Sequence, residues 1–186
     1  MTQSRCDTLL KNALLYDGLG GQPTRGGVAL CNGRIAAVGD VSGWSSAETI
    51  DLAGLSLAPG FIDVHTHDDL AVLNDSAMEP KITQGVTSVI VGNCGISLAP
   101  YEKPAELVPP LGLLGTAEDY RFGSFAAYRS AVDTANVAVN VAALAGHGTL
   151  RAMTLKDPSE PASEGQIAIM RVLLEEARIL PAKRWL

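Results

Sequence analysis

With 186 residues, 47% of them hydrophobic, and with 19 glycines and 10 prolines, the chain has material for one turn-rich globular domain or for one and part of another, and it is not a disordered one. Fourteen basic against twenty acidic residues leave a net charge of −6, which argues against a nucleic-acid partner, and no apolar run approaches the roughly 18 residues of a membrane helix. Met1-Thr2-Gln3-Ser4-Arg5-Cys6-Asp7 lacks the apolar core of a secretion signal, and Cys6, Cys31 and Cys94 are too widely spaced for a disulfide framework, so a cytoplasmic protein with free thiols is expected.

Thr8 to Tyr16 is a β-prone run closed by the turn residues Asp17-Gly18 and Gly20-Gly21. Gly27 to Cys31 and Arg34 to Val38 flank Asn32-Gly33, the dipeptide typical of a two-residue hairpin. Glu48 to Leu52 and Leu55 to Leu57 read as two more short strands around Ala53-Gly54. Residues 1–57 are therefore expected to form a small β-sandwich-like module. It contains no titratable cluster, and its expected role is structural.

After Pro59-Gly60 strands alternate with helices, the pattern of a parallel sheet or a β/α barrel. Phe61 to Val64 is the first strand, expected to be buried, and Ala77 to Gln84 is a short helix ended by Gly85. Val86 to Val91 is almost entirely β-branched and forms the second strand. Phe122 to Thr134 suits an amphipathic helix, with Phe122, Phe125, Ala126, Tyr128 and Val132 on one face. Val137 to Ala145 is nearly continuous in apolar residues, as a buried parallel strand is. Ser163 to Arg178 is the strongest helix, with Ile167, Met170, Leu173, Leu174 and Ala177 spaced by threes and fours.

Each of the three strands runs into a polar or glycine-rich segment: His65-Thr66-His67, Gly92-Asn93-Cys94-Gly95 and Gly146-His147-Gly148. In β/α folds, sites are built at the C-terminal ends of parallel strands. His65 and His67, two residues apart on a strand, would present both imidazoles to one side, and imidazole is a common ligand of transition metals. A bare His-x-His on an exposed strand is also ordinary polar surface. Cys94 in isolation reads as a small buried hydrophobe, but between glycines at a strand end it becomes a candidate thiolate ligand. His147 is read either as a structural histidine bonded to a carbonyl or as a substrate or metal contact.

Asn32-Gly33-Arg34-Ile35-Ala36-Ala37-Val38-Gly39, Ile50-Asp51-Leu52-Ala53-Gly54 and Ala58-Pro59-Gly60-Phe61-Ile62-Asp63-Val64-His65-Thr66-His67 together resemble the amidohydrolase superfamily. The stretch from Gln84 to Pro100, with Gly146-His147-Gly148-Thr149-Leu150-Arg151 downstream, resembles its N-acyl-D-amino-acid deacylase (D-aminoacylase) branch. The resemblance implies a TIM-like barrel with one or two zinc ions, bound by His65 and His67 and bridged by Cys94, and hydrolysis of a small-molecule N-acyl-D-amino acid. On charge and hydropathy, no nucleic-acid or membrane partner is expected. Cyclic-amide hydrolases of the same superfamily (dihydroorotase- or hydantoinase-like) are the alternative. They usually place a carboxylated lysine where this chain has Cys94.

The resemblance also sets expectations for what is missing. The family's later histidines and catalytic aspartate have no counterpart, since the chain has three histidines and none follows His147. Residues 58–178 have room for the first three β/α units of an incomplete barrel, and residues 179–186, broken at Pro181, read as an aberrant tail. The expectation is an N-terminal fragment produced by a frameshift or early stop, inactive alone and poorly soluble through its open sheet edges, or a non-catalytic remnant.

Overall fold

A computed structural model describes residues 4–178, so the tail expected at 179–186 lies outside the described residues. The chain divides into two units, Met1–Pro59 and Gly60–Leu186. In the first, alternating apolar residues build a single five-stranded mixed sheet, in which β1 (Ser4–Leu15) pairs antiparallel with β2 (Thr24–Cys31). β1 also pairs in parallel with β4 (Trp44–Asp51) and β5 (Ser56–Leu57), and β3 (Arg34–Gly39) forms the far edge. Asn32-Gly33 makes the expected tight link between β2 and β3.

The sandwich-like arrangement expected for this unit is replaced by one sheet with a small core on each face. Val28 packs with Ala13 and Leu15 on one side, while its neighbour Ala29 packs with Cys6, Leu9 and Val41 on the other. The physical reason is a break in β1. Its pairing register shifts between Leu10 and Ala13, around Asn12 in the left-handed region (φ 57°), so one long strand serves β4 before the break and β5 after it.

The second unit is mixed α/β. Its central sheet is parallel, in the order β10 (Asn140–Ala143), β7 (Val86–Val91), β6 (Phe61–Asp63), with Asp63, Val89 and Val141 in register. Only β7 has a strand on both sides, and its Val89 and Val91 are fully buried. β6, expected to be buried, is an edge strand: Phe61, Ile62 and Val64 are exposed. β10 is shorter than the apolar run 137–145, and only Val141 within it is buried.

Around this sheet lie α1 (Ala71–Asn74), α2 (Glu79–Ile82), α3 (Phe125–Ala135), α4 (His147–Thr154) and α5 (Glu164–Arg178). α3 starts three residues later than its apolar pattern suggests. Phe122 instead pairs with Tyr101 in a small hairpin, β8 (Tyr101–Glu102) with β9 (Arg121–Phe122), and the Ser124 hydroxyl accepts from the Ala127 N–H to cap the helix. α5 begins on a capping box: the Ser163 N–H donates to Gln166 Oε1 (2.8 Å), and the Gln166 N–H donates back to Ser163 Oγ. α4 was not expected, because Gly146-His147-Gly148 reads only as the glycine-rich end of the third strand. It packs Leu150 and Leu155 against Met170 of α5. Among the described residues no helix is long and apolar enough to cross a membrane.

Candidate metal centre

β6 and β7 are adjacent and parallel, so the loops leaving their C-terminal ends are neighbours. The first carries His65 and His67 and the second carries Cys94. His65 Nε2 and Cys94 Sγ lie 3.0 Å apart, and one ligand atom from each of His65, His67 and Cys94 falls within 4.8 Å of the others. In a tetrahedral zinc site, with bonds of about 2.0 Å to nitrogen and 2.3 Å to sulfur, ligand atoms stand roughly 3.5 Å apart. The 3.0 Å approach and the 4.8 Å limit on the whole cluster are compatible with that value. In addition, His67 Nδ1 is buried with no hydrogen-bond partner among the described residues. Two imidazoles, one of them with an unsatisfied ring nitrogen, and one cysteine sulfur form a three-residue donor set that fits zinc.

The two histidines do not meet by strand alternation, as expected from the sequence. β6 ends at Asp63, and both histidines sit in the loop beyond it, their rings edge to face with centroids 6.0 Å apart. His147 is exposed at the start of α4 and is not one of the three clustered ligands. It lines a cavity of about 390 Å³ together with Leu150 and Met170.

The Cys94 loop is shaped by close backbone packing. Gly92 has φ 80°, and a Cβ there would stand 2.2 Å from the Leu144 carbonyl oxygen, so neither the conformation nor the space admits a side chain. Cys94 itself sits in the left-handed region (φ 55°, ψ 22°), a strained place for a residue with a Cβ, and it is exposed. The loop is then locked to the start of α4. The Ser97 N–H donates to Thr149 Oγ1 (2.9 Å), and that hydroxyl donates back to the Ser97 carbonyl (3.0 Å). The Gly146 N–H donates to Ser97 Oγ (3.0 Å), and both Ser97 and Thr149 are buried.

Asp69, also buried, crosses from one loop to the other. Its Oδ2 accepts from the Gly92 N–H at 3.2 Å, and the Tyr128 hydroxyl holds its carbonyl at 2.8 Å. Burial pushes the Asp69 carboxyl above its ordinary value, against the hydrogen bonds from backbone N–H groups.

The His65–His67 loop is held by charge instead. The Lys81 ammonium, from α2, donates to Asp63 Oδ2 (2.7 Å) and Thr66 Oγ1 (3.2 Å) and pairs with Asp68 Oδ2 (2.8 Å). Partial burial opposes the charged form of Lys81, but the bonds to Asp63 and Asp68 outweigh it and its pKa lies above the ordinary value. The bond from Lys81 holds the Asp63 carboxyl below its ordinary value.

Sequence reasoning missed Lys81, Asp69, Ser97 and Thr149. The acidic pair Asp68-Asp69 directly after His67 was a usable signal for the first two, since carboxylates beside imidazoles call for partners. Ser97 and Thr149, separated by 52 positions, carried none.

The amidohydrolase family model matches residues 48–180. The chain is 44% identical over 174 residues to N-acyl-D-aspartate deacylase of Alcaligenes xylosoxydans xylosoxydans, covering 94% of this chain and 35% of that relative. A solved structure of D-aminoacylase superposes with a TM-score of 0.89 at 43% identity, covering 92% of this chain and 36% of that one. N-acyl-D-glutamate deacylase from Bordetella bronchiseptica, solved with zinc and a phosphonate mimic of the tetrahedral intermediate, superposes with a TM-score of 0.86 at 36% identity, covering 94% and 36%. The chain thus spans about a third of the length of the relatives it matches.

Proposed function

Because this chain belongs to the amidohydrolase family, we propose that it carries the metal-binding face of a zinc-dependent hydrolase that cleaves N-acyl-D-amino acids to a carboxylate and a free D-amino acid. The observation that carries this reading is the approach of His65 Nε2 to Cys94 Sγ at 3.0 Å, beside His67, at the ends of adjacent parallel strands. Three parallel strands in sequential order, each opening into a polar or glycine-rich segment, support the first three β/α units of a barrel as the architecture. The zinc held by the N-acyl-D-glutamate deacylase supports the choice of metal. Free thiols at Cys6, Cys31 and Cys94 support a reducing, cytoplasmic location.

Zinc supplies a Lewis acid that polarises an amide carbonyl and brings the pKa of water to about 7. The residues of this chain would hold and aim it: His65 and His67 through ring nitrogens, and Cys94 through its sulfur, whose softness favours zinc over magnesium or calcium. Asp63, Asp68 and Asp69 flank the histidines, but each is engaged in holding a loop, and none of the three is assigned as the general base. Cys94 in place of a bridging lysine favours linear over cyclic amides as substrates.

The test is metal content first and turnover second. The chain purified with zinc is expected to retain about one ion, and Cys94→Ser is expected to lose it. Equal zinc in both proteins would sink the assignment. Hydrolysis of N-acetyl-D-methionine by the zinc-loaded protein, with the L-enantiomer spared, would overturn the expectation that the chain is inactive alone.

A further inference from the structure

Lys81 lies outside the ligand set, yet its three contacts fall around the two candidate metal-binding histidines. Asp63 precedes His65 by two positions, Thr66 stands between the histidines, and Asp68 follows His67. The ammonium donates hydrogen bonds to Asp63 Oδ2 and Thr66 Oγ1 and stands in an ion pair with Asp68 Oδ2. The link continues into the backbone, since the other Asp63 oxygen, Oδ1, accepts from the His65 N–H at 3.2 Å. The side chains of Lys81 and Asp68 are about four-fifths buried, which keeps the network partly shielded from water.

We propose that Lys81 is a positioning residue for the metal centre: one ammonium gathers Asp63, Thr66 and Asp68 and so fixes the loop that aims His65 and His67 at Cys94. This rests on the zinc reading above. It has a consequence of definite sign. A cation near a site for a dication repels it, so on charge alone the removal of Lys81 tightens metal binding. As a clasp, Lys81 does the reverse. Without it two carboxylates are left side by side, they move apart, and the histidines lose their common aim. Supporting groups around metal ligands typically change metal affinity by about 10- to 100-fold when removed.

The experiment titrates cobalt(II) into the 186-residue chain and follows the thiolate-to-cobalt charge-transfer absorption, a readout independent of turnover. The unsubstituted protein should show the band and Cys94→Ser should not. If the unsubstituted protein shows no band, the metal reading fails and this inference falls with it. Given the band, Lys81→Met is expected to weaken cobalt binding by about tenfold or more, with an unchanged far-ultraviolet circular dichroism spectrum. Lys81→Arg, which keeps the charge and two or more donors, should recover part of the loss. Equal or tighter binding by Lys81→Met overturns the proposal. Should Lys81→Met alter the spectrum, Thr66→Val decides: it removes one acceptor of the ammonium without changing the charge beside the site, and a several-fold loss supports the clasp while no loss overturns it.

Discussion

The two loops that meet at the candidate metal centre are held by opposite means. After β7, the Cys94 loop is fixed by backbone packing without room for a Cβ and by buried, uncharged hydrogen bonds among Ser97, Thr149 and Gly146. After β6, the histidine loop borders an exposed edge strand and is fixed by an ion cluster around Lys81 that is still about a fifth open to water. Position in the sheet accounts for the contrast. β7 is central, so the loop leaving it continues into the core, where unpaired polar groups are costly and must be matched. β6 is an edge, and the loop leaving it stays in reach of solvent, where charges are tolerated. The ligand that needs a strained backbone, Cys94, thus stands on the more rigid side.

The comparison breaks most sharply at Gly92. Gly92→Ala places a Cβ against the Leu144 carbonyl oxygen in a left-handed conformation. Overpacking and backbone strain together are expected to cost about 3 kcal/mol or more. Urea unfolding measures this directly. An unchanged midpoint would mean that the loop is free to move, and the rigid half of the comparison would be lost.

Next comes the hydroxyl of Thr149. Thr149→Val keeps the shape but leaves the Ser97 N–H and carbonyl buried without partners, an expected loss of about 2–6 kcal/mol at roughly 1–3 per group. Thr149→Ser keeps the hydroxyl and removes one methyl, at about 1 kcal/mol. If the two variants unfold alike, the methyl and not the hydrogen-bonded knot holds the loop.

How much of this was legible beforehand follows the same division. Val86–Val91 was read correctly because a central parallel strand is apolar on both faces. Phe61–Val64 looked equally apolar, yet it lies at an edge, since an apolar run does not reveal how many neighbours it has. His65, His67 and Cys94 were legible as residue types at strand ends, although the histidines turned out to lie past the strand, brought together by the loop. Lys81 and Thr149 were not legible. Their partners are assigned by the fold, through a four-residue helix in one case and a helix hidden behind two glycines in the other.

The smallest expected effect separates the two kinds of hold without any substitution. Raising salt from about 0.1 M to about 1 M shortens the screening length from about 10 Å to about 3 Å. Partly exposed ion pairs are worth about 0.2–1 kcal/mol and respond to this, whereas buried uncharged hydrogen bonds do not. The His65 amide, tied through Asp63 to Lys81, should therefore exchange its hydrogen up to about fivefold faster in high salt, the upper end of that energy range. The Ser97 and Gly146 amides, tied to Thr149 Oγ1 and Ser97 Oγ, should hold their rates. Equal acceleration of all three amides would mean that the loops open together as one unit, and the distinction between a charged hold and a neutral one would have no dynamic consequence.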